Sequence, residues 1–143
     1  MDAQEIEDKI AAYAEFVDTR LRPDLAAVQE RTKEIRDQLE DYRTIRTQLE
    51  QGEWAVERSV DLGHGRVFGK ATPDASTIFL HVGMGFHIEL TPSEAIVAID
   101  RRMQYLQENR LDDQLRQQAR IEEHLQSYAQ NLAQLSSVLE GHQ

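Results

Sequence analysis

The stretch TIFLHVGMGFHIELT, residues 77–91, determines the fold of this chain. Apolar residues occupy every second position on both sides of Gly83-Met84-Gly85, which is the period of a half-buried β-strand. The two halves form a hairpin if their apolar positions face each other, because a slip of one residue would set apolar against polar positions. The predicted pairs are Val82 with Phe86, Leu80 with Ile88, and Ile78 with Leu90.

A second hairpin precedes this one. Val60 and Leu62 alternate with polar neighbours, the segment Gly63-His64-Gly65 supplies a turn, and another strand follows from Arg66 to Thr72. Pro73-Asp74-Ala75-Ser76 is typical of a turn between the two hairpins. We therefore predict two consecutive β-hairpins over residues 53–90.

The N-terminal flank, residues 5–52, has the pattern of a coiled-coil arm. Its apolar residues recur at alternating spacings of three and four. The pattern falls into two sets that differ in phase, and Pro23 lies near their join, so we predict a kink or local irregularity there. The sets are Ile6, Ile10, Tyr13 and Val17, then Leu25, Val28, Ile35, Leu39, Tyr42 and Leu49, with Thr32 and Arg46 at two positions of the stripe.

The C-terminal flank, residues 91–141, is a second arm. Thr91 and Glu94 have the spacing of a capping box, and Pro92 suits the first helical position. The apolar stripe runs through Ile96, Ile99, Met103 and Leu106, loses apolar character through Arg110, Gln114 and Gln118, and resumes, shifted by one, at Ile121, Leu125, Tyr128, Leu132, Leu135 and Leu139.

The two arms are nearly equal in length, about 47 positions or roughly 70 Å each. Equal arms around a β insert predict that the chain folds back on itself, with facing positions whose numbers add to roughly 144. The predicted fold is thus mostly α with a small β part: a long antiparallel coiled-coil hairpin whose arms are joined by two β-hairpins, in one domain over residues 1–143. The alternative is a parallel coiled-coil dimer with an inserted β module, in which matched arm lengths would be accidental.

The composition and charge of the chain disfavour several classes of partner and location. The 143 residues carry a formal net charge of -10, which disfavours nucleic acid or an anionic membrane as partner. Cysteine is absent, no apolar run reaches the ~20 residues needed to span a bilayer, and the acidic N-terminus is unlike a signal peptide. We expect a protein of the cytosol or nucleus.

The register of the second predicted hairpin sets His81 opposite His87, but no third metal ligand has a suitable spacing. We expect no metal, no cofactor and no catalytic site.

The β segments carry a family resemblance. Val60-Asp61-Leu62-Gly63, residues 77–86, and Glu89-Leu90-Thr91 resemble the hairpin segments of α-type prefoldin subunits. The resemblance implies a non-catalytic chaperone subunit of a hexamer of two α-type and four β-type subunits. In such a hexamer the hairpins build a β-barrel platform, and the ends of the coiled coils hold unfolded client proteins for transfer to a chaperonin. Prefoldin-like relatives use the same platform in assembly and transcription-linked complexes.

Two candidate surfaces follow. Isolated hairpins have exposed edges, so partner strands from other prefoldin-type subunits should cover them. The predicted assembly set is Val60, Leu62, Val67, Phe68, Ile78, Leu80, Val82, Phe86, Ile88 and Leu90. The predicted client-binding set lies at the arm ends and comprises Ile6, Ile10, Tyr13, Val17, Leu132, Leu135 and Leu139.

Other interpretations stay open at this point. The arm-end residues also suit an ordinary coiled-coil interface. The whole chain also suits an adaptor that binds specific folded partners, or a purely structural coiled coil, although the latter makes no use of the hairpins. An enzyme is disfavoured because no constellation of positioned catalytic groups is evident.

Overall fold

The computed structural model describes residues 2–52, 59–61, 66–69, 78–83 and 86–141, with side chains described in 2–52 and 89–141. Helices dominate both flanks. The N-terminal flank comprises helix α1 (Ala3–Phe16), a π-helical turn (Val17–Leu21) and helix α2 (Arg22–Gln51). The C-terminal flank comprises helix α3 (Pro92–Tyr105), a second π-helical turn (Leu106–Leu111) and helix α4 (Asp112–Gly141). The predicted mostly helical architecture is confirmed.

The chain forms two compact units. One contains Met1–Lys33 and Asp112–Gln143, and the other contains Glu34–Leu111. In the first unit the Tyr13 and Tyr128 rings lie 5.3 Å apart, and Arg31 Nε donates to Gln114 Oε1 at 2.9 Å. In the second unit Arg46 bonds to Asp100.

These partners have the register that the sequence predicts. In the first unit Tyr13 lies beside Tyr128 and Arg31 beside Gln114, so residue numbers rise in one flank as they fall in the other and the helices run antiparallel. The predicted helical hairpin is therefore confirmed. Because the contacts lie within one chain, they do not suit the parallel-dimer alternative.

The first π-helical turn explains the phase change in the N-terminal stripe. Buried Val17 and Leu21 and half-buried Leu25 follow one another at spacings of four, so the stripe contains one residue more than a coiled coil has there. A π-helical turn holds that extra residue. The turn ends two residues before Pro23, whose missing N–H suits a point where the helical hydrogen-bond pattern already changes. The predicted irregularity near Pro23 is confirmed.

The second π-helical turn explains the phase change in the C-terminal stripe, because it also holds one extra residue. Leu106 and Leu111 are both buried although they are five residues apart, and Arg110 is exposed. The prediction that Arg110 occupies the stripe is therefore wrong, because the wider turn brings Leu111 to that place. The same extra residue accounts for the shift by one that precedes Ile121.

Four short strands lie between the helical flanks. They are β1 (Ser59–Asp61), β2 (Arg66–Gly69), β3 (Ile78–Gly83) and β4 (Phe86–Leu90), and they pair antiparallel in the order β1-β2-β3-β4. The predicted partners Leu80 with Ile88 and Ile78 with Leu90 are confirmed, as is His81 opposite His87. Val82 with Phe86 is wrong, because the register shifts after His81 and Phe86 pairs with Gly83. The connecting segments lie outside the described residues, so the two predicted hairpin turns stay predictions.

Helix α3 begins with the predicted capping box. Thr91 Oγ1 accepts from the Glu94 N–H at 3.2 Å, and Glu94 Oε1 accepts from the Thr91 N–H at 3.0 Å. Pro92 occupies the first turn, where its missing N–H removes a donor that would have no helical partner. The hydrogen bond from the Thr91 backbone lowers the pKa of Glu94 below its usual value.

Deleting Asn109 tests the role of the second π-helical turn. The deletion leaves Leu106 and Leu111 one α-helical turn apart, so the stripe residues that follow still face the other helical flank. We expect the free energy of unfolding, measured by urea titration with circular dichroism, to change by less than about 1 kcal/mol.

The matched control is deletion of Ala119, an exposed residue of regular α-helix. It turns the stripe from Ile121 to Leu139 by one residue, away from α1. The loss should exceed about 3 kcal/mol, since several half-buried side chains leave the interface together. Equal losses for the two deletions would contradict our account of the turn.

Replacing Glu94 by Gln tests the charge in the capping box. Because the pKa of Glu94 is lowered in the folded chain, its charge stabilises the fold above the unfolded-state pKa of about 4.5. This stabilisation is lost as pH falls through the folded-state pKa. The urea midpoint of the wild type should exceed that of Glu94→Gln at pH 7, and the difference should shrink as the pH falls below 4.5. A difference that is constant with pH would contradict this assignment.

Candidate assembly and client-binding surfaces

The predicted assembly residues follow the four strands. Val60 pairs with Val67, Val67 with Leu80, and Leu80 with Ile88, so four members form one row across the whole sheet. Ile78 and Leu90 form a second apolar pair two residues along. Paired positions of neighbouring strands belong to the same sheet face. The backbone register therefore gathers these six members on one face.

Phe68 has a different register position. It pairs with Phe79 and Ser59, in the row next to that of Val67. Successive positions of a strand belong to opposite faces, so Phe68 lies on the other face of the sheet from Val67. Leu62 lies outside the described residues, and Val82 and Phe86 flank the register shift in β3 and β4.

The predicted client-binding residues all lie on α1, α4 or the first π-helical turn. Ile6 and Val17 are buried, with 1% and 8% of their surface exposed. These two residues belong to the interface between the helices and offer little surface to another molecule. The remaining five keep part of their surface accessible: Ile10, Tyr13, Leu132, Leu135 and Leu139.

An aromatic group lies beside these residues. The Tyr128 ring meets Tyr13 edge-on at 5.3 Å and stacks on Phe16 at 5.1 Å with an interplanar angle of 29°. Phe16 is 37% exposed. Sequence reasoning omitted Phe16 because it lies off the apolar stripe. The spacing of Tyr13 and Phe16, one helical turn apart, was the signal for an aromatic pair on one flank.

A polar layer interrupts the interface of the same unit. Gln114 is 8% exposed and accepts a hydrogen bond from Arg31. Thr32 is 3% exposed, and its hydroxyl has no hydrogen-bond partner among the described residues. A buried polar contact between helices costs stability and favours one register over its neighbours.

Arg46 joins the helices of the other unit. Its Nε and Nη2 donate to the two carboxylate oxygens of Asp100 at 2.6 and 3.3 Å, and its Nη1 pairs with Glu50. This forked geometry suits a guanidinium, and the hydrogen bond to Asp100 raises the pKa of Arg46. The sequence pattern put Arg46 in the stripe, but the structure buries Ile45 and leaves Arg46 half-exposed.

Over the described ranges, no three His, Cys, Asp or Glu side chains come together as metal ligands. In the same part of the chain, no helix is both long enough and apolar enough to cross a membrane. The candidate surfaces are therefore the sheet with its apolar row and the helices with exposed aromatic side chains.

Comparison with protein families decides the relationship. The model of the prefoldin family, described as prefoldin subunit, matches residues 21–139, which include most of both helical flanks and all four strands. The chain belongs to the prefoldin family. The resemblance seen in the strand residues is confirmed.

The prefoldin relatives of this chain include proteins named UXT. A UXT homolog of Nematostella vectensis is 31% identical over 140 residues, which cover 94% of this chain and 87% of the relative. UXT of Bos taurus is 30% identical over 136 residues, which cover 92% of this chain and 86% of the relative. Human UXT is 32% identical over 71% of this chain and 67% of its own length. No solved structure matches the chain significantly.

Replacing Thr32 by Val tests the polar layer. The change keeps the side-chain shape and removes a buried hydroxyl that lacks a partner. We expect the free energy of unfolding to rise by about 1 kcal/mol, measured by urea titration.

The control is Thr19→Val. Thr19 is exposed, and its hydroxyl donates to the Glu15 carbonyl at 2.7 Å. Here the change should be neutral or slightly destabilising. A loss of stability in Thr32→Val would mean that the hydroxyl has a partner in solution.

Proposed function

We propose that this chain is a non-catalytic molecular chaperone subunit of a heterohexameric prefoldin or prefoldin-like complex. Its strands join a β-barrel platform made with other α-type and β-type subunits. The ends of its helical arms hold unfolded client proteins, which the complex transfers to a chaperonin. The complex acts in the cytoplasm, and also in the nucleus. Membership of the prefoldin family is the observation that carries this proposal.

The sheet supports the assembly part of the proposal. Among the described strands, β1 and β4 are the edges, and each has a neighbour on one side only. An edge strand presents unpaired backbone N–H and C=O groups to any strand of suitable register. The apolar row from Val60 to Ile88 gives such an assembly a hydrophobic face to bury.

The helices support the client-holding part. Their interface leaves Ile10, Tyr13 and Leu132 partly exposed, and Phe16 stands beside them. Apolar side chains near helix termini become accessible when the last turns open, which costs little free energy. Such a surface suits weak, reversible contact with the apolar segments of an unfolded chain.

A second function is an adaptor subunit of a prefoldin-like complex linked to transcription regulation and protein-complex assembly. The burial of Ile6 and Val17 favours it, because burial removes two of the seven side chains proposed for client contact. An adaptor would bind a defined folded partner and would not retain denatured proteins.

The test is the native mass of the full chain, alone and after mixing with β-type prefoldin subunits, followed by light scattering of a denatured client. We expect a complex of two copies of this chain, or one copy with another α-type subunit, and four β-type chains. The assembled complex should suppress client aggregation. Assembly without suppression would favour the adaptor, and absence of assembly would contradict both functions.

Leu80→Lys tests whether the apolar row drives assembly. A lysine within the row should prevent formation of the complex, since a buried unpaired charge is strongly unfavourable. The helical circular dichroism signal should persist. Val97→Lys is the matched control, because Val97 is 50% exposed on α3 and should tolerate the charge.

A further inference from the structure

The negative charge of the chain is concentrated at the arm ends. Residues 1–19 and 121–143 contain nine Asp or Glu and one Lys or Arg, for a net charge of -8. The remaining 101 residues contain seventeen acidic and fifteen basic residues, for a net charge of -2. Nearly all of the excess charge therefore lies in these two segments, which include α1 and the C-terminal part of α4.

This charge is exposed and largely uncompensated. Glu7, Glu15 and Glu123 are exposed and have no ion pair or hydrogen bond through their carboxylates in the described part of the chain. Other carboxylates of these segments do have partners. Asp18 pairs with Arg22 Nη1 at 3.3 Å, and the carboxylates of Asp2, Asp8 and Glu122 accept hydrogen bonds. The last turn of α4 contains no basic residue, although cations stabilise a helix at that end.

Helix stability accounts for only part of this arrangement, since Asp2 caps α1 and Glu5 lies in its first turn, where negative charge is favourable. Two packed helices with like-charged ends repel each other, and a purely structural coiled coil would place Lys and Arg among its flanking positions. The rest of the chain has nearly balanced charges of this kind. The same repulsion acts against a second copy of this chain as the occupant of the surface.

The exposed apolar surface of the arm ends lies within this acidic field. Phe16 stacks on Tyr128 while keeping 37% of its own surface exposed, and Val138 is 49% exposed. The face of an aromatic ring attracts Lys and Arg as well as apolar side chains. A ligand that satisfies both features has cationic residues interspersed with apolar ones.

We infer that the arm ends select unfolded segments that combine Lys or Arg with apolar residues, so that basic segments are held in preference to acidic ones. This inference rests on the proposed client-holding function and adds the chemical class of the client. Apolar side chains of the segment contact the surface around Phe16 and Tyr128. Its cations lie near the exposed carboxylates of both helices.

Three fluorescein-labelled peptides of equal length test the inference by fluorescence anisotropy with the full chain. One contains Leu, Phe and Lys, the second has Glu in place of Lys, and the third has Ser in place of Leu and Phe. The first should bind at least about tenfold more tightly than either of the others. Its affinity should fall between 50 and 300 mM NaCl, roughly the range over which salt screens such charges. Equal binding of the acidic peptide or of the Ser peptide would overturn the inference.

Two triple variants locate the surface. Glu7→Gln, Glu15→Gln and Glu123→Gln together should weaken binding of the basic apolar peptide by about fivefold. The control combines Glu30→Gln, Glu34→Gln and Glu108→Gln, which change the net charge equally at exposed positions elsewhere, and should weaken it less than twofold. Phe16→Ala should weaken binding without changing its salt dependence. Equal effects of the two triple variants would overturn the assignment to the arm ends.

Aggregation assays with one basic and one acidic denatured protein separate this inference from the proposed function. Equal suppression of both would overturn the charge preference while client holding stands. Suppression of neither, with tight binding of the basic apolar peptide, would overturn the chaperone function and support the peptide preference. Selective suppression of the basic protein supports both.

Discussion

The narrow apolar interface between antiparallel helices is the constraint on which the rest of the structure depends. With 6% aromatic and 29% charged residues, the chain lacks the side chains for a thick core. A stripe one or two residues wide must therefore face its partner along each helix. Every irregularity in the helices can be understood as a way to keep that stripe facing inward. The π-helical turns Val17–Leu21 and Leu106–Leu111 each absorb one surplus residue that would otherwise turn the following stripe towards solvent.

Periodicity made much of this predictable. The alternating positions of residues 77–91 gave two of the three strand pairs, and the capping residues Thr91 and Glu94 marked the start of α3. The stripe also showed both phase changes. What periodicity did not give was their form, because a helical template assumes one fixed number of residues per turn. Leu111 and Leu21 were missed for this reason, and a search for apolar pairs five residues apart would have found Leu111.

The candidate surfaces were less predictable than the fold, for two physical reasons. Buried and partly exposed stripe residues have the same sequence pattern, so the burial of Ile6 and Val17 could not be distinguished from the partial exposure of Ile10. Phe16 and Arg46 depend on contacts across helices, with Tyr128 and Asp100 respectively. Such contacts depend on the packing of two distant segments, which local periodicity does not encode.

The distribution of charge separates the two tasks of the molecule. Where charges are nearly balanced, they serve the fold, as in the forked contact of Arg46 with Asp100 and Glu50. At the arm ends, Glu7, Glu15 and Glu123 have no cationic partner among the described residues, and like charges on both flanks weaken the packing of those ends. A helix end that is slightly destabilised also opens more easily and exposes the apolar side chains beneath it. The same carboxylates can therefore attract a basic segment and make the apolar surface available to it, so recognition and opening follow from one feature of the sequence.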